Sequence, residues 1–286
     1  MSPDRSRFRA AAAASGRWLF LVVLLAFLYG PLATLILFSF NDSIVIALPF
    51  REFTLRWYGE AMKNPLVVES LKNSIGLAAI VTPISLVLGT LAAFGITRFR
   101  YRARGAVAGL VGAPLVVPWL LIGVGALLFF SRFHFHLSLR TVAVMHVVTV
   151  FPLVAAIVSA RLVRFDRSIE EAALDLGAAP RELLRYIILP LIAPALAASA
   201  IFAFSWSFNN FVVTFFTGGF EVTFPVWVFS TLRHAKNLPV VNAVSTLVAV
   251  VQLGAVYLAW RLARSRTLGR GVSSDIPEGA VPGLIH

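Results

Sequence analysis

The chain has 286 residues, 59% of them hydrophobic, and its mean hydropathy of +0.86 is too high for a soluble protein of this length. It contains no cysteine, which excludes disulfides and thiolate metal sites. The formal net charge is +12, but no recognised nucleic-acid-binding module accompanies the arginines, so nucleic acid is not an expected partner.

Long apolar runs predict an all-α, polytopic membrane protein with six transmembrane helices. A helix of about 20 apolar residues crosses a hydrocarbon core of about 30 Å. The third run contains Pro114 and Pro118, and the carbonyls that these prolines leave unpaired need partners in neighbouring helices or a cavity. The six predicted spans are 18–38, 70–97, 106–130, 140–160, 191–216 and 240–262.

The distribution of basic residues predicts the orientation of these spans in the lipid bilayer. Six spans place both termini on one side, and 17 of the 25 basic residues lie on that side. The positive-inside rule then makes this side cytoplasmic. The predicted organisation is a cytoplasmic basic N-terminus (1–17), a transmembrane domain (18–264) with a cytoplasmic loop (161–190), and a cytoplasmic tail (265–286).

The segment Ile169–Pro190 is the longest polar-rich run between apolar segments, and it predicts two short helices joined by a turn. We expect Ser168 to cap the first helix, with Glu171 completing a capping box. Gly177 can end that helix in the left-handed conformation, since it has no Cβ to clash. Pro180 suits the first position of the second helix, where its missing N–H costs nothing. Pro190 is expected to interrupt the helical path before the next apolar run.

The first of these helices presents a small, charged surface that can enter a groove on another protein. The residues alone leave open a second interpretation, an amphipathic hairpin at the membrane interface. Helical spacing places on one surface Glu171, Leu174 and Asp175, beside Ala172 and Ala173.

The spacing of this segment resembles the EAA motif of ABC importer permeases. The match consists of Glu171-Ala172-Ala173, three residues, Gly177, nine residues, and then Ile187, Ile188, Leu189 and Pro190. One departure is Ala179, where many relatives have a Ser or Thr that could cap the second helix. The resemblance implies a type I ABC importer permease whose cytoplasmic loop docks into a cleft on an ATPase. The coupling residues that it implies are Glu170, Glu171, Ala172, Ala173, Leu174, Asp175, Gly177, Pro180, Leu189 and Pro190.

The fifth span carries polar residues where an unsatisfied amide costs several kcal/mol in lipid. Two interpretations stay open, hydrogen bonding to neighbouring helices or the lining of a polar translocation path. Adjacent residues on a helix point about 100° apart, so only one asparagine is expected to face such a path. The predicted path residues are Ser205, Trp206, Asn209 and Asn210.

Three further stretches are similar to the permease subunit of spermidine/putrescine ABC importers: FSFNDS (38–43), FTLRWY (53–58) and SFNNFVVTFF (207–216). The similarity covers nearly the whole chain. Relatives commonly carry two aspartates where this chain has Asn209 and Asn210. The similarity implies transport of a small, polyamine-like solute that a periplasmic binding protein delivers. It also implies that the chain lies in the inner membrane and works with a second permease and two ATPases.

Other functions fit the sequence less well. No span contains Asp or Glu away from its ends, which disfavours the alternative of an ion-coupled secondary transporter. An ABC importer of another small nitrogenous or organic solute remains an alternative. No glycine precedes any of the three lysines, so the chain has no P-loop and is not expected to be an enzyme. No cofactor or metal is expected on this chain; ATP and Mg²⁺ would bind to the partner ATPase.

Overall fold

The computed structural model describes residues 3–43, 50–234 and 237–268, and these residues are mainly helical. The described part of the chain forms no β-sheet, only one isolated bridge between Asn41 and Phe53. The helices are α1 (Pro3–Ser39), α2 (Arg56–Lys63), α3 (Pro65–Arg98), α4 (Arg104–Val116), α5 (Trp119–Arg132), α6 (Leu139–Val163), α7 (Ser168–Asp175), α8 (Pro180–Glu182), α9 (Leu189–Asn209), α10 (Val212–Thr217), α11 (Phe224–Arg233) and α12 (Leu238–Leu268), with a π-helical turn at Leu183–Ile188.

The chain divides into two compact units, Met1–Ala249 and Val250–His286. The first unit contains α1 to α11 and the beginning of α12. In its described part the second unit is helical from 250 to 268, so the helix runs four residues into the predicted tail. The rest of that tail, 269–286, lies outside the described residues.

Five helical stretches are long and apolar enough to cross a membrane, and a bent pair of helices brings the number to six. The five are Gly16–Ser39, Pro65–Arg98, Leu139–Val163, Pro180–Asn209 and Leu238–Leu258. The all-α architecture with six spans is therefore confirmed. The third predicted span, 106–130, is the bent pair: α4 and α5 meet at an angle of 101° around Pro118, one of the two prolines that the sequence places inside it. Proline lacks the N–H that would continue the helix, and its ring clashes with the preceding turn.

The centre of the first unit is formed by α3, α6 and α9. Their contact is made by small and β-branched side chains that are almost fully buried, including Val81, Val154 and Ile192. Gly89 of α3 lies directly against α6, because a β-carbon there would be 2.6 Å from Cβ of Val154. The absence of a side chain at Gly89 allows the two backbones to approach this closely.

A second apolar cluster involves elements that the sequence predicted as loops. The regions 41–69 and 217–239 contain α2 and α11, whose Trp57 and Trp227 are buried against the N-terminal part of α12. The indole N–H of Trp57 donates to the carbonyl of Asn41 (2.9 Å). Aromatic side chains therefore connect the ends of the spans. Trp57 of the FTLRWY stretch and Asn41 of the FSFNDS stretch contact each other in this region.

Candidate functional site

The N-terminus of α7 is capped differently from the sequence prediction. Ser168 is the first helical residue and does not cap, so the capping box with Glu171 was wrong. Instead, the backbone N–H of Ser168 donates to Oδ1 of Asp166 (3.0 Å). This hydrogen bond lowers the pKa of the exposed Asp166 carboxyl below its ordinary value, since it favours the charged form. A carboxylate near a helix N-terminus also interacts favourably with the helix dipole.

The C-terminus of α7 has the glycine turn that the sequence predicts. Gly177 has φ of +85°, in the left-handed region. Its N–H donates to the carbonyl of Leu174 (2.9 Å), and the N–H of Ala178 donates to the carbonyl of Ala173 (3.0 Å). These two hydrogen bonds form a Schellman motif, which pairs carbonyls that the end of the helix leaves free.

The second helix of this loop is the beginning of the fifth span. Pro180 occupies its first turn as predicted, and Oε2 of Glu182 accepts from the N–H of Ala179 (2.9 Å), so half of a capping box forms without a Ser or Thr. Pro190 was expected to interrupt the path, and that expectation was wrong: Pro180–Asn209 is one helical stretch. The turn before Pro190 is π-helical (Leu183–Ile188). This wider turn changes the position of the carbonyls that the proline ring would otherwise meet.

The two faces of α7 have different surroundings. The exposed face carries both charge and an apolar side chain: Glu171, Ala172, Leu174 and Asp175. Leu174 is 47% exposed, and Leu176, just beyond the helix, is 90% exposed. Large apolar side chains so exposed next to carboxylates are typical of a surface that another protein covers.

Glu170 lies on the opposite, inward face of α7. Its carboxylate forms an ion pair with Nη2 of Arg98, the last residue of α3. Arg167 strengthens the same junction, because its Nη2 donates to the carbonyl of Thr97 (3.1 Å). The resemblance includes Glu170 among the coupling residues, and the structure places its carboxylate against the end of α3.

Asn209 and Asn210 were predicted inside the fifth span (191–216), whereas the structure places them where helix α9 ends. Helix α9 ends at Asn209, and Asn210 has an extended backbone before α10 begins. Asn209 is exposed, and its Nδ2 donates to the carbonyl of Ser205 (2.9 Å) and to its hydroxyl (3.3 Å). Asn209 and Ser205 thus form one polar surface, one helical turn apart.

Asn210 is buried and holds the break in the fifth span. Its Oδ1 accepts from the N–H of Val213 (3.2 Å), and its carbonyl accepts from the hydroxyl of Thr214 (2.7 Å). His146 of α6 bridges both sides of the break, with Nδ1 3.0 Å from Oγ of Ser207 and Nε2 3.0 Å from Oγ1 of Thr214. These contacts pair the hydroxyls of Ser207 and Thr214, the N–H of Val213 and the carbonyl of Asn210.

Trp206 packs on the first residue of α5. Its ring lies edge-on to that of Trp119, with 4.4 Å between the ring centroids. The bend between α4 and α5 is therefore in contact with the last turn of α9. Within the described residues, the indole N–H of Trp206 and Nδ2 of Asn210 are buried and have no hydrogen-bond partner.

Comparison with known proteins identifies the family. Residues 85–264 match the family described as "Binding-protein-dependent transport system inner membrane component", which is more than half of the 286 residues. The chain belongs to this family. The permease is therefore a multi-pass protein of the inner membrane.

Two relatives cover most of the permease. The "Putrescine transport system permease protein PotI" of Escherichia coli (strain K12) is 35% identical over 259 residues, which is 86% of this chain and 90% of the relative. The "Spermidine/putrescine transport system permease protein PotC" of the same strain is 31% identical over 251 residues, or 87% and 94% of the two chains.

A solved structure supports the fold of the permease. A chain of a bacterial ABC transporter involved in the import of the acidic polysaccharide alginate superposes with a TM-score of 0.73, and 91% of the permease and 98% of that chain are covered. At 15% identity this likeness concerns the fold. The family description makes the permease the inner-membrane component of a binding-protein-dependent transport system, so it is a transporter subunit and not an enzyme.

Sequence reasoning missed three residues of the site. Asp166 precedes the helix by two residues, a position from which Asp commonly accepts from the backbone, so the local pattern could have indicated it. Arg98 is 72 residues from Glu170, and no local pattern reveals such a pair. Leu176 is 90% exposed, and that exposure depends on what packs beside the end of α7, which a local pattern does not show.

Proposed function

We propose that this permease forms the translocation path of an ATP-driven importer for small aliphatic polyamines of the putrescine class. The observation that carries the proposal is similarity over nearly the whole chain to permeases named for putrescine and for spermidine/putrescine transport. The solute would be delivered by a periplasmic binding protein and would cross between this chain and a second, similar permease.

The exposed face of α7 is the proposed docking surface for the ATPase. It offers the carboxylates of Glu171 and Asp175 and the apolar side chain of Leu174 in one patch. The Schellman turn at Gly177 fixes the direction of the chain after this helix. ATP-driven closure of two ATPases, which bind the ATP and Mg²⁺, would move α7 and switch the path between its two open sides. With this loop in the cytoplasm, both termini are cytoplasmic too.

The proposed path surface consists of Asn209 and Ser205, beside Trp206. An exposed asparagine provides both a donor and an acceptor and can therefore contact an amine or ammonium group without itself carrying a charge. The ring of Trp206 adds a surface that attracts ammonium groups through cation–π contact. Buried Asn210, in contrast, supports the break between α9 and α10 and is proposed to act on the path indirectly.

A second cargo class is a less strongly charged nitrogenous or other small organic solute. The observation in its favour is the absence of Asp and Glu from the spans away from their ends, including positions 209 and 210. A polycation is most strongly attracted by carboxylates, so a path lined by amides discriminates less against neutral solutes.

Uptake into proteoliposomes tests the proposal. The complete complex is reconstituted with its binding protein, and uptake of radiolabelled putrescine is measured with ATP inside the vesicles. We expect ATP-dependent uptake that unlabelled spermidine inhibits. The matched control is the same complex with an ATPase unable to hydrolyse ATP. Uptake of an uncharged nitrogenous solute, with no uptake of putrescine, would assign the second cargo class instead.

A further inference from the structure

We propose that Arg98 is a positioning residue that holds the coupling helix α7 to the transmembrane core through Glu170. This rests on the proposed docking of α7 to an ATPase and adds the connection by which motion of α7 reaches the spans. Glu170, on this proposal, acts inside the permease and does not contact the ATPase.

The first step concerns the surroundings of the pair. The side chains of Arg98 and Glu170 are 12% and 17% exposed, while Glu171, the next residue, is exposed. An ion pair that is largely shielded from water is screened less by salt than a surface pair. Loss of one partner leaves the other as a shielded, unpaired charge, which is strongly unfavourable.

The second step concerns the geometry around the pair. Arg98 also lies over the ring of Phe165, with 5.7 Å between Cζ and the ring centroid. Arg167 donates to the carbonyl of Thr97 at the end of α3 (3.1 Å), in the last turn, where carbonyls lack helical partners. Two arginines therefore connect the end of α3 to the beginning of α7: Arg98 of α3 reaches Glu170, and Arg167, just before α7, reaches Thr97.

The third step is the continuation of α3 into the core. On the N-terminal side of Arg98, α3 packs on α6 and α9. At Gly89 its backbone approaches α6 so closely that a β-carbon would be 2.7 Å from the carbonyl oxygen of Phe151. Closely packed helices move together, because small separations already lose much of the contact energy. A displacement of α7 that is transmitted to the end of α3 is thus transmitted to the centre of the first unit.

The test uses hydrogen exchange of the complete complex in nanodiscs, with and without ATP trapped on a hydrolysis-deficient ATPase. In the wild type we expect peptides from α7 and from the end of α3 to change protection together on ATP binding. Arg98→Gln and Glu170→Gln should retain the change in α7 and lose at least about three-quarters of the change in α3. The matched control is Arg100→Gln, which removes the same charge from an exposed neighbour for which no ion pair is found among the described residues.

The double variant Arg98→Gln/Glu170→Gln separates pairing from folding. If the two residues act as a pair, each single variant should take up about tenfold less putrescine per ATP hydrolysed than the wild type. The double variant should then match either single variant in both hydrogen exchange and uptake. A single variant that assembles poorly should be restored by the double variant, since no unpaired charge remains. Failure of the double variant to assemble would show that Arg98 holds the fold, and would overturn the proposal.

Two other outcomes distinguish this inference from the proposed function. An α3 response to ATP in Arg98→Gln that equals wild type would overturn the connection and leave the docking of α7 untouched. No ATP-dependent change in the α7 peptides of the wild type would overturn the docking, and the connection with it.

Discussion

Replacement of Gly177 by alanine tests whether the turn after α7 is needed for coupling. With φ of +85°, the residue lies in the left-handed region, where a β-carbon costs about 1–2 kcal/mol. A β-carbon at this position would meet no heavy atom within 4 Å, so no steric clash adds to this cost. The expected destabilisation lowers the ratio of the Schellman turn to other conformations of the loop by a factor of about 5–30.

The assay is hydrogen exchange over 168–180 in the assembled complex, together with uptake of putrescine. Gly177→Ala should exchange faster at the end of α7 and transport less, while Gly177→Asn should lie between it and wild type, because asparagine tolerates the left-handed conformation better. The matched control is Gly105→Ala, where the backbone is outside the left-handed region and a β-carbon also meets nothing within 4 Å. Wild-type exchange and uptake in both Gly177 variants would refute a role for the turn.

Three further predictions concern orientation, the path and the core. A cysteine at Ala103 should react with an impermeant thiol reagent only from the cytoplasm and one at Lys63 only from outside, with the cysteine-free chain as the background; the reverse pattern would overturn the orientation. Asn209→Leu should reduce putrescine uptake without reducing the yield of assembled complex. Asn210→Leu should reduce that yield, because it leaves a buried N–H of α10 unpaired at a cost of about 1–3 kcal/mol. Equal effects of the two variants on uptake and yield would contradict their different roles. Gly89→Ala should lower the thermal stability of the complex, because the new β-carbon would lie 2.6 Å from a side-chain carbon of α6. Packing strain of this kind costs about 1–3 kcal/mol. Unchanged thermal stability would show that α3 and α6 separate easily.

The sequence by itself determined the class of the protein, its six spans and the position of the loop that contains the two short helices. These follow from local properties: the length of apolar runs, the positions of arginines and the spacing from Glu171 to Pro190. The left-handed Gly177 and the start of a helix at Pro180 were predictable for the same reason, since backbone preferences of glycine and proline act within one turn.

Only the tertiary structure decided how the spans are interrupted and what each polar residue contacts. At the break after α9 the N–H of Val213 is paired by the side chain of Asn210, and the hydroxyls of Ser207 and Thr214 are paired by His146 of α6. The same holds for Glu170: helical spacing assigns it a direction on α7, but which groups lie in that direction depends on Arg98, 72 residues earlier in the chain. A local pattern carries no information about a partner that packing brings from so far away.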